Sequence, residues 1–340
     1  MDMFAGDTVP CTVVVGGFWG DEGKGKIISY LALKDAVDVC IRTGSVNAAH
    51  TIWYKGKRYA LHMVPGGFVH KKCRLLVGPG TNVHVGQFLK EVKMTEVKNR
   101  IGVDRQASII EEKHSALDKS NAHLKGLGTT GWGVGPAIEE RVRRTAKLAK
   151  DTLELKPYLT DVAEEANNAI TEGKNVILEG TQGIMLSLFY GTYPYVTGRD
   201  TSASAICSEA GVGPSKVDEV LVVFKAFMTR VGAGPLPGEI SKEEAEKRGW
   251  FEVAAGTGRD RRSAPFDFGV AEKAVTIHSA TQAAVTKLDC IYPECKDVKK
   301  FDELPKKAKL FISRVEHRTK IPVVLVGTGP DAADIIDRRK

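Results

Sequence analysis

The feature that most constrains this chain is a recurring unit, a short β-branched apolar run that in most cases ends on a glycine-bearing turn. TVVVGG from Thr12, DVCIRTG from Asp38, RLLVGPG from Arg74, NVILEG from Asn175, VLVVFKAF from Val220, AAVTKLD from Ala283 and PVVLVGTG from Pro322 carry it. Apolar runs without polar alternation suit strands covered on both faces, as in a parallel sheet. Between them lie segments of helical character, among them IISYLAL, IEERVRRTAKLAKDTLEL and LTDVAEEANNAITEGK. Strand and helix in alternation imply right-handed βαβ units. No Pro/Ser/Gly-rich linker, low-complexity tract or fixed-period repeat divides the chain. The expectation is therefore one large α/β domain over residues 1–340, with a mainly parallel central sheet and helices on both faces. Ligands of such sheets gather at the carboxyl ends of the strands. The glycine-rich signals sit at those ends.

Composition excludes several other classes. Hydrophobic residues make up 42%, enough for a sizeable core. No apolar run reaches the ~18–20 residues of a membrane-spanning helix. The segment MDMFAGDTVP lacks the basic patch and apolar stretch of a secretory signal, so a soluble, cytoplasmic protein is expected. The 6 cysteines are dispersed, and the near pair Cys290 and Cys295 lacks the partners of a zinc site, so reduced thiols are expected. A net charge of +7 is too mild and too scattered for a nucleic-acid footprint. It suits anionic small molecules, with neither nucleic acid nor membrane as a partner.

The first apolar run leads into Gly16-Gly17-Phe18-Trp19-Gly20-Asp21-Glu22-Gly23-Lys24-Gly25-Lys26 and then the helical IISYLAL. A strand, a glycine loop and a helix N-terminus turn backbone N–H groups toward one point and make an anion site. Lys24 or Lys26 can neutralise phosphate charge there. Gly20 to Lys26 has the spacing G-x-x-x-x-G-K, but Ile27 stands where Ser or Thr would hold magnesium. The unit is P-loop NTPase-like without being a standard Walker A loop. Asp21 inside it is unusual. A metal ligand, a general base and a helix N-cap are all open readings of that carboxylate.

GGFWGDEGKGK, followed by Asn47-Ala48-Ala49-His50-Thr51, resembles the adenylosuccinate synthetase family. The resemblance continues through GTTGWGVGPAIEERVRR from Gly128, LEGTQG from Leu178, GTYPYVTGRDTSA from Gly191 and TRVGAGPLPGE from Thr229. TGRDRR from Thr257, TKLD from Thr286 and GTGP from Gly327 complete it, in family order, from about residue 12 to 331. It implies a GTP-dependent ligase that joins IMP to L-aspartate with magnesium, through a 6-phosphoryl-IMP intermediate, in AMP synthesis. The alternative is a P-loop-type GTPase or binding module without ligase activity.

Residue roles follow from the same resemblance. Asp21 is the expected base and magnesium ligand, His50 the acid, Lys24 a phosphate stabiliser and Gln182 a further catalytic group. Ala49 supplies a second magnesium ligand through its carbonyl. GTP is expected on Gly20, Asp21, Glu22, Gly23, Lys24, Gly25 and Lys26, on Ala49, His50 and Thr51, and on Arg261. Lys287, Leu288, Asp289, Gly327, Thr328 and Gly329 are expected around its base, with the Asp289 carboxylate accepting from the guanine N–H donors. IMP is assigned to Asp21, Lys24, Asn47, His50, Thr130, Gln182, Thr197 and Arg259. Arg144 is expected to reach the IMP of a neighbouring subunit, which implies a homodimer. Aspartate falls to Ala255, Gly256, Thr257, Gly258, Arg259 and Arg261. The chain departs from the family pattern at Ala49, Trp132, Gly256, Asp260 and Gly327, and it is shorter than most members.

Overall fold

The structure is a computed structural model that describes residues 11–254 and 258–339. Ten strands form the main sheet. In chain order they are β1 (Cys11–Gly16), β2 (Val39–Arg42), β3 (Arg74–Val77), β4 (Ile101–Asp104) and β5 (Leu159–Thr160), followed by β6 (Val176–Glu179), β7 (Glu219–Lys225), β8 (Gln282–Thr286), β9 (Val323–Gly327) and β10 (Ile335–Asp337). Their spatial order is β10-β9-β8-β7-β1-β6-β2-β3-β4-β5. Every neighbouring pair is parallel except β9–β10, which is antiparallel at the edge. Each apolar run named above falls on one of the contiguous strands from β9 to β3. The short β4, β5 and β10 carry weaker apolar signals.

Burial on both faces is direct. Val13 and Val15 of β1 belong to one buried cluster, with Ala166 and Ala169, Ile206, Ala271 and Ala274, and Ile312 and Val315 from four helices. Val14 points to the other cluster, with Ile27, Ile28 and Leu31 of helix α1 (Lys24–Lys34) and with Phe88 and Val92. Side chains alternate across a strand, so consecutive valines serve opposite layers. Among the described residues no helix is long and apolar enough to cross a membrane.

The helical segment expected from Ile138 to Leu155 is not continuous. The helix Val134–Arg143 stops at Arg144, which adopts φ 66°. The chain then turns extended, because the Ile109 N–H donates to the Lys147 carbonyl at 2.9 Å and Ser108 bridges Leu148. Only 3-10 turns follow, at Ala149–Asp151 and Leu153–Tyr158. Pairing with a distant strand overrode the local helical pattern.

Candidate active site

The carboxyl ends of the strands deliver the functional side chains. β1 ends at Gly16, and the loop to α1 places Gly20 at φ 101° and Gly23 at φ 86°, where an L side chain would be strained. Gly23 is the N-cap of α1. The N-cap reading of Asp21 is thereby corrected, and its carboxylate is free for other work. Glu22 folds into the loop instead. Its Oε1 accepts from the Phe18 and Gly20 N–H groups at 2.9 and 2.8 Å, and its Oε2 from the Lys24 ammonium at 2.7 Å. Burial alone would raise the Glu22 pKa, but Lys24 outweighs it and the pKa falls below the usual carboxylate value. Lys26 turns away from the loop to donate to the carbonyls of Gly329 and of Asp334, the latter at 2.9 Å, and burial lowers its pKa to about 8. A Cβ on Gly327 would stand 3.3 Å from the Thr286 Cα and 3.5 Å, an ordinary contact, from that ammonium.

Asp21 lies in a dense charge cluster. Arg261 contacts its Oδ1 at 2.9 Å, and the Thr229 hydroxyl donates to Oδ2 at 3.3 Å. Burial lifts the Asp21 pKa above its ordinary value, against the opposing pull of Arg261 and Lys225. Glu252 is the hub beside it, with Arg261 at 2.5 Å, Lys225 at 2.8 Å and Lys287 at 3.2 Å. Burial opposes ionisation of Glu252, yet Lys225, Lys287 and Arg261 hold it far below the usual carboxylate range. Strand alternation explains why Asp260 can interrupt the arginines. Arg261 faces Asp21, whereas the exposed Asp260 pairs outward with Lys242 at 2.8 Å.

His50 opens the hairpin of His50–Tyr54 and Lys57–Leu61. Its Nδ1–H donates to Glu179 Oε1 at 2.6 Å, and Glu179, at the end of β6, also accepts from Arg42 at 2.5 Å and from the Gly66 N–H at 2.6 Å. Burial would raise the Glu179 pKa, but Arg42 and His50 bring it to about 2. Burial, with Arg42, lowers that of His50 to about 4. The ring is fixed through Nδ1. Its buried Nε2 has no hydrogen-bond partner among the described residues.

Two cavities flank this centre. One, of about 400 Å³, is lined by Asn47, Thr130, Gln182, Thr197 and Arg259, all expected around IMP. The other, of about 330 Å³, is lined by Gly23, Lys24, Gly25, Lys26, Thr51, Lys287 and Gly329, all expected around GTP. Gly20, Asp21, Ala49, His50 and Arg261 line both. Leu288, Asp289, Gly327 and Thr328 lie off this lining, as does Glu22. Arg144 is exposed and lines neither cavity. Gly258 bonds back to the Ala254 carbonyl at 2.8 Å, while Ala255, Gly256 and Thr257 fall outside the described residues. Trp132 packs against His84 and His62, with ring centroids 5.3 and 5.8 Å away, and does not enter the larger cavity.

Sequence reasoning missed the partners that hold these groups. Glu179, Arg42, Glu252, Lys225 and Thr229 are such residues, and so is Asp118, which accepts from the Thr129 hydroxyl at 2.7 Å and the Gly133 N–H at 2.8 Å. Glu179 and Lys225 had a usable signal, since a charged residue ending an apolar strand is buried at a cost and needs a reason.

A glycine loop between two cavities, with a carboxylate and an imidazole on their common wall, suits an α/β enzyme that brings two ligands together. A model of the adenylosuccinate synthetase family matches residues 13–155 and 146–298. The adenylosuccinate synthetase of Pyrococcus horikoshii is 51% identical over 336 residues, covering 97% of this chain and 99% of its own length. That of Methanocaldococcus jannaschii is 52% identical over 334 residues, covering 97% of each. The solved, fully ligated adenylosuccinate synthetase of Plasmodium falciparum has the same fold, with a TM-score of 0.90 at 24% identity over 97% of this chain and 100% of that one. A cyanophage S-2L succinoaminodeoxyadenylate synthetase matches with a TM-score of 0.82 at 22% identity, over 97% and 96% of the two chains. The chain belongs to the adenylosuccinate synthetase family.

Proposed function

We propose that this chain carries out its family's reaction, joining IMP and aspartate into adenylosuccinate with conversion of GTP to GDP and phosphate. The observation that carries the assignment of chemistry is the wall shared by the two cavities. Asp21 and His50 stand there, within reach of a ligand on either side. IMP occupies the larger cavity and GTP the smaller.

The 6-oxo group of IMP is a very poor leaving group toward an amine. Placing the γ-phosphoryl of GTP on that oxygen converts it to phosphate, which the amine of aspartate then displaces. The first step needs a base for the N1 proton, so that charge builds on O6. Asp21 is that base. Burial makes it more basic than an exposed carboxylate, and Arg261 at 2.9 Å keeps it oriented. His50, anchored by Glu179, aims Nε2 at the transferring phosphoryl, whose negative oxygens favour the protonated, donating ring. Lys24 and the loop amides stabilise the phosphates. Arg259 and Arg261, on the segment after residue 254, offer guanidinium forks for the carboxylates of aspartate.

Magnesium fits the donor set. The Asp21 carboxylate and the Ala49 carbonyl are both hard oxygens on the shared wall, which suits this ion. An alanine in place of glycine at position 49 leaves the carbonyl in place. When bound, the ion neutralises charge on the phosphates.

The test is the near-ultraviolet absorbance change on mixing enzyme, IMP, GTP, aspartate and magnesium, omitting each in turn. A change only with the complete set supports the ligase. Phosphate release without IMP or aspartate contradicts it and favours a GTPase. Asp21→Asn should keep IMP and GTP affinity within about threefold and lose about 10³-fold in kcat. Retained turnover removes Asp21 from the role of base.

A further inference from the structure

Resting on the assignment of GTP to the smaller cavity, we propose that Trp53 is a base-binding residue whose indole stacks on the purine of the nucleotide.

The tryptophans of the described chain fall into two groups. Trp250 stacks on Phe227 with centroids 5.0 Å apart, Trp132 contacts His84 and His62, and Trp19 lies under the Arg230 guanidinium at 5.8 Å. Trp53 makes no ring or cation–π contact among the described residues, and it is 39% exposed while lining the smaller cavity. The hairpin explains its direction. His50 and Ile52 pack inward on α1, where a Cβ added to Gly25 would stand 2.9 Å from His50 Cβ and 3.1 Å from Ile52 Cγ1. Alternation then puts Thr51 and Trp53 on the opposite face.

Gly20, Asp21, Gly23 and Lys24 bring to the lining the loop expected at the phosphates, and Lys287, Gly329 and Pro330 bring the segments expected at the base end. The Trp53 backbone is fixed beside that base end. Its carbonyl accepts from the Ala332 N–H at 2.9 Å, and it bridges Asp331. Arg58 lies directly across the hairpin in register and lines the same cavity. A broad, half-wet indole beside a flat turn lacks only a second π face. A purine supplies it, and stacking holds the base without reading its edge.

The experiment follows tryptophan fluorescence while the full chain is titrated with GDP in the absence of IMP. Trp53→Phe should remove most of the signal change and leave the GDP Kd within about threefold, because a ring remains to stack. Trp53→Ala should raise the GDP Kd and the GTP KM by about tenfold, with IMP KM within about twofold. Inorganic tripolyphosphate, which has the charge and no base, should bind wild type and Trp53→Ala alike. Unchanged GDP affinity in Trp53→Ala, or equal loss of GDP and tripolyphosphate, overturns the stacking role while GTP-dependent turnover of wild type keeps the cavity assignment. Failure of wild type to bind GDP overturns both.

Discussion

At the scale of single residues, the site is a set of charges each held by a distant partner. Glu179 is the clearest case. It lies 129 positions from His50 and 137 from Arg42, yet it binds both through Oε1. Removing one member of a buried ion pair leaves the other charge uncompensated. Glu179→Gln should therefore cost about 3–5 kcal/mol of stability, read as a shift in the urea midpoint, and should lower kcat in the protein that still folds. A loss below about 1 kcal/mol would show that Arg42 finds another partner. Asp21 and His50 were singled out by the family's block order, since read alone the carboxylate could equally cap a helix and the histidine could be structural. Glu252 and Asp118 were not. Their task is to satisfy side chains that lie far away in the sequence, and no local pattern encodes that.

At the scale of elements, legibility followed burial. Strands covered on both faces read as unbroken apolar runs and were visible. β5 and β10, at the sheet's two edges, are short and only partly covered, and in the fully buried β4 Gly102 and Asp104 interrupt the apolar run. The helix that stops at Arg144 failed for a related reason, since strand pairing at Lys147 and Leu148 is invisible to periodicity. The helix Phe268–His278 carries a feature that no motif announced. His278 Nδ1 accepts from the Ala203 N–H at 3.2 Å, and Nε2–H donates to the Gly16 carbonyl at 3.2 Å, which pins the start of the glycine loop. Burial lowers its pKa to about 4, although the Gly16 carbonyl and the charges of Glu22 and Asp200 pull upward and Lys24 downward. The unfolded chain takes up a proton near pH 6.5 and the folded chain near pH 4. The neutral ring's contribution is thus complete above pH 6.5 and is lost as pH falls from there toward 4, by roughly 3 kcal/mol in all. His278→Asn, which can keep the bond from the Ala203 N–H and does not titrate, should flatten the slope of stability against pH in that window. An unchanged slope in urea titrations would place the acid sensitivity elsewhere.

At the scale of the whole molecule, the sheet gathers residues from remote parts of the chain into two cavities with a common wall. Joining two substrates demands that arrangement. Arg144 is the residue that this picture does not place. It ends the helix Val134–Arg143 in a left-handed conformation, exposed, beside Val142, which is 73% exposed. Of the other residues expected around IMP, all but Lys24 line the larger cavity, and Lys24 lines the smaller one. The family resemblance assigns this arginine to the IMP of a second copy of the chain, and a closed twofold pair would return the same residue to both sites. The consequence is measurable. Arg144→Asn keeps a residue that tolerates the left-handed backbone and removes the charge, so it should raise the KM for IMP with little loss of stability. Asp21→Asn disables the resident site alone. In a mixed dimer of these two variants, one site carries both changes and the other carries neither. Co-expression in equal amounts, assayed at IMP far below the KM of Arg144→Asn, should therefore restore about a quarter of wild-type activity, far above either parent. Activity that never exceeds the sum of the parents would mean that Arg144 does not reach across the dimer, and would leave the cavity of each chain to bind IMP unaided.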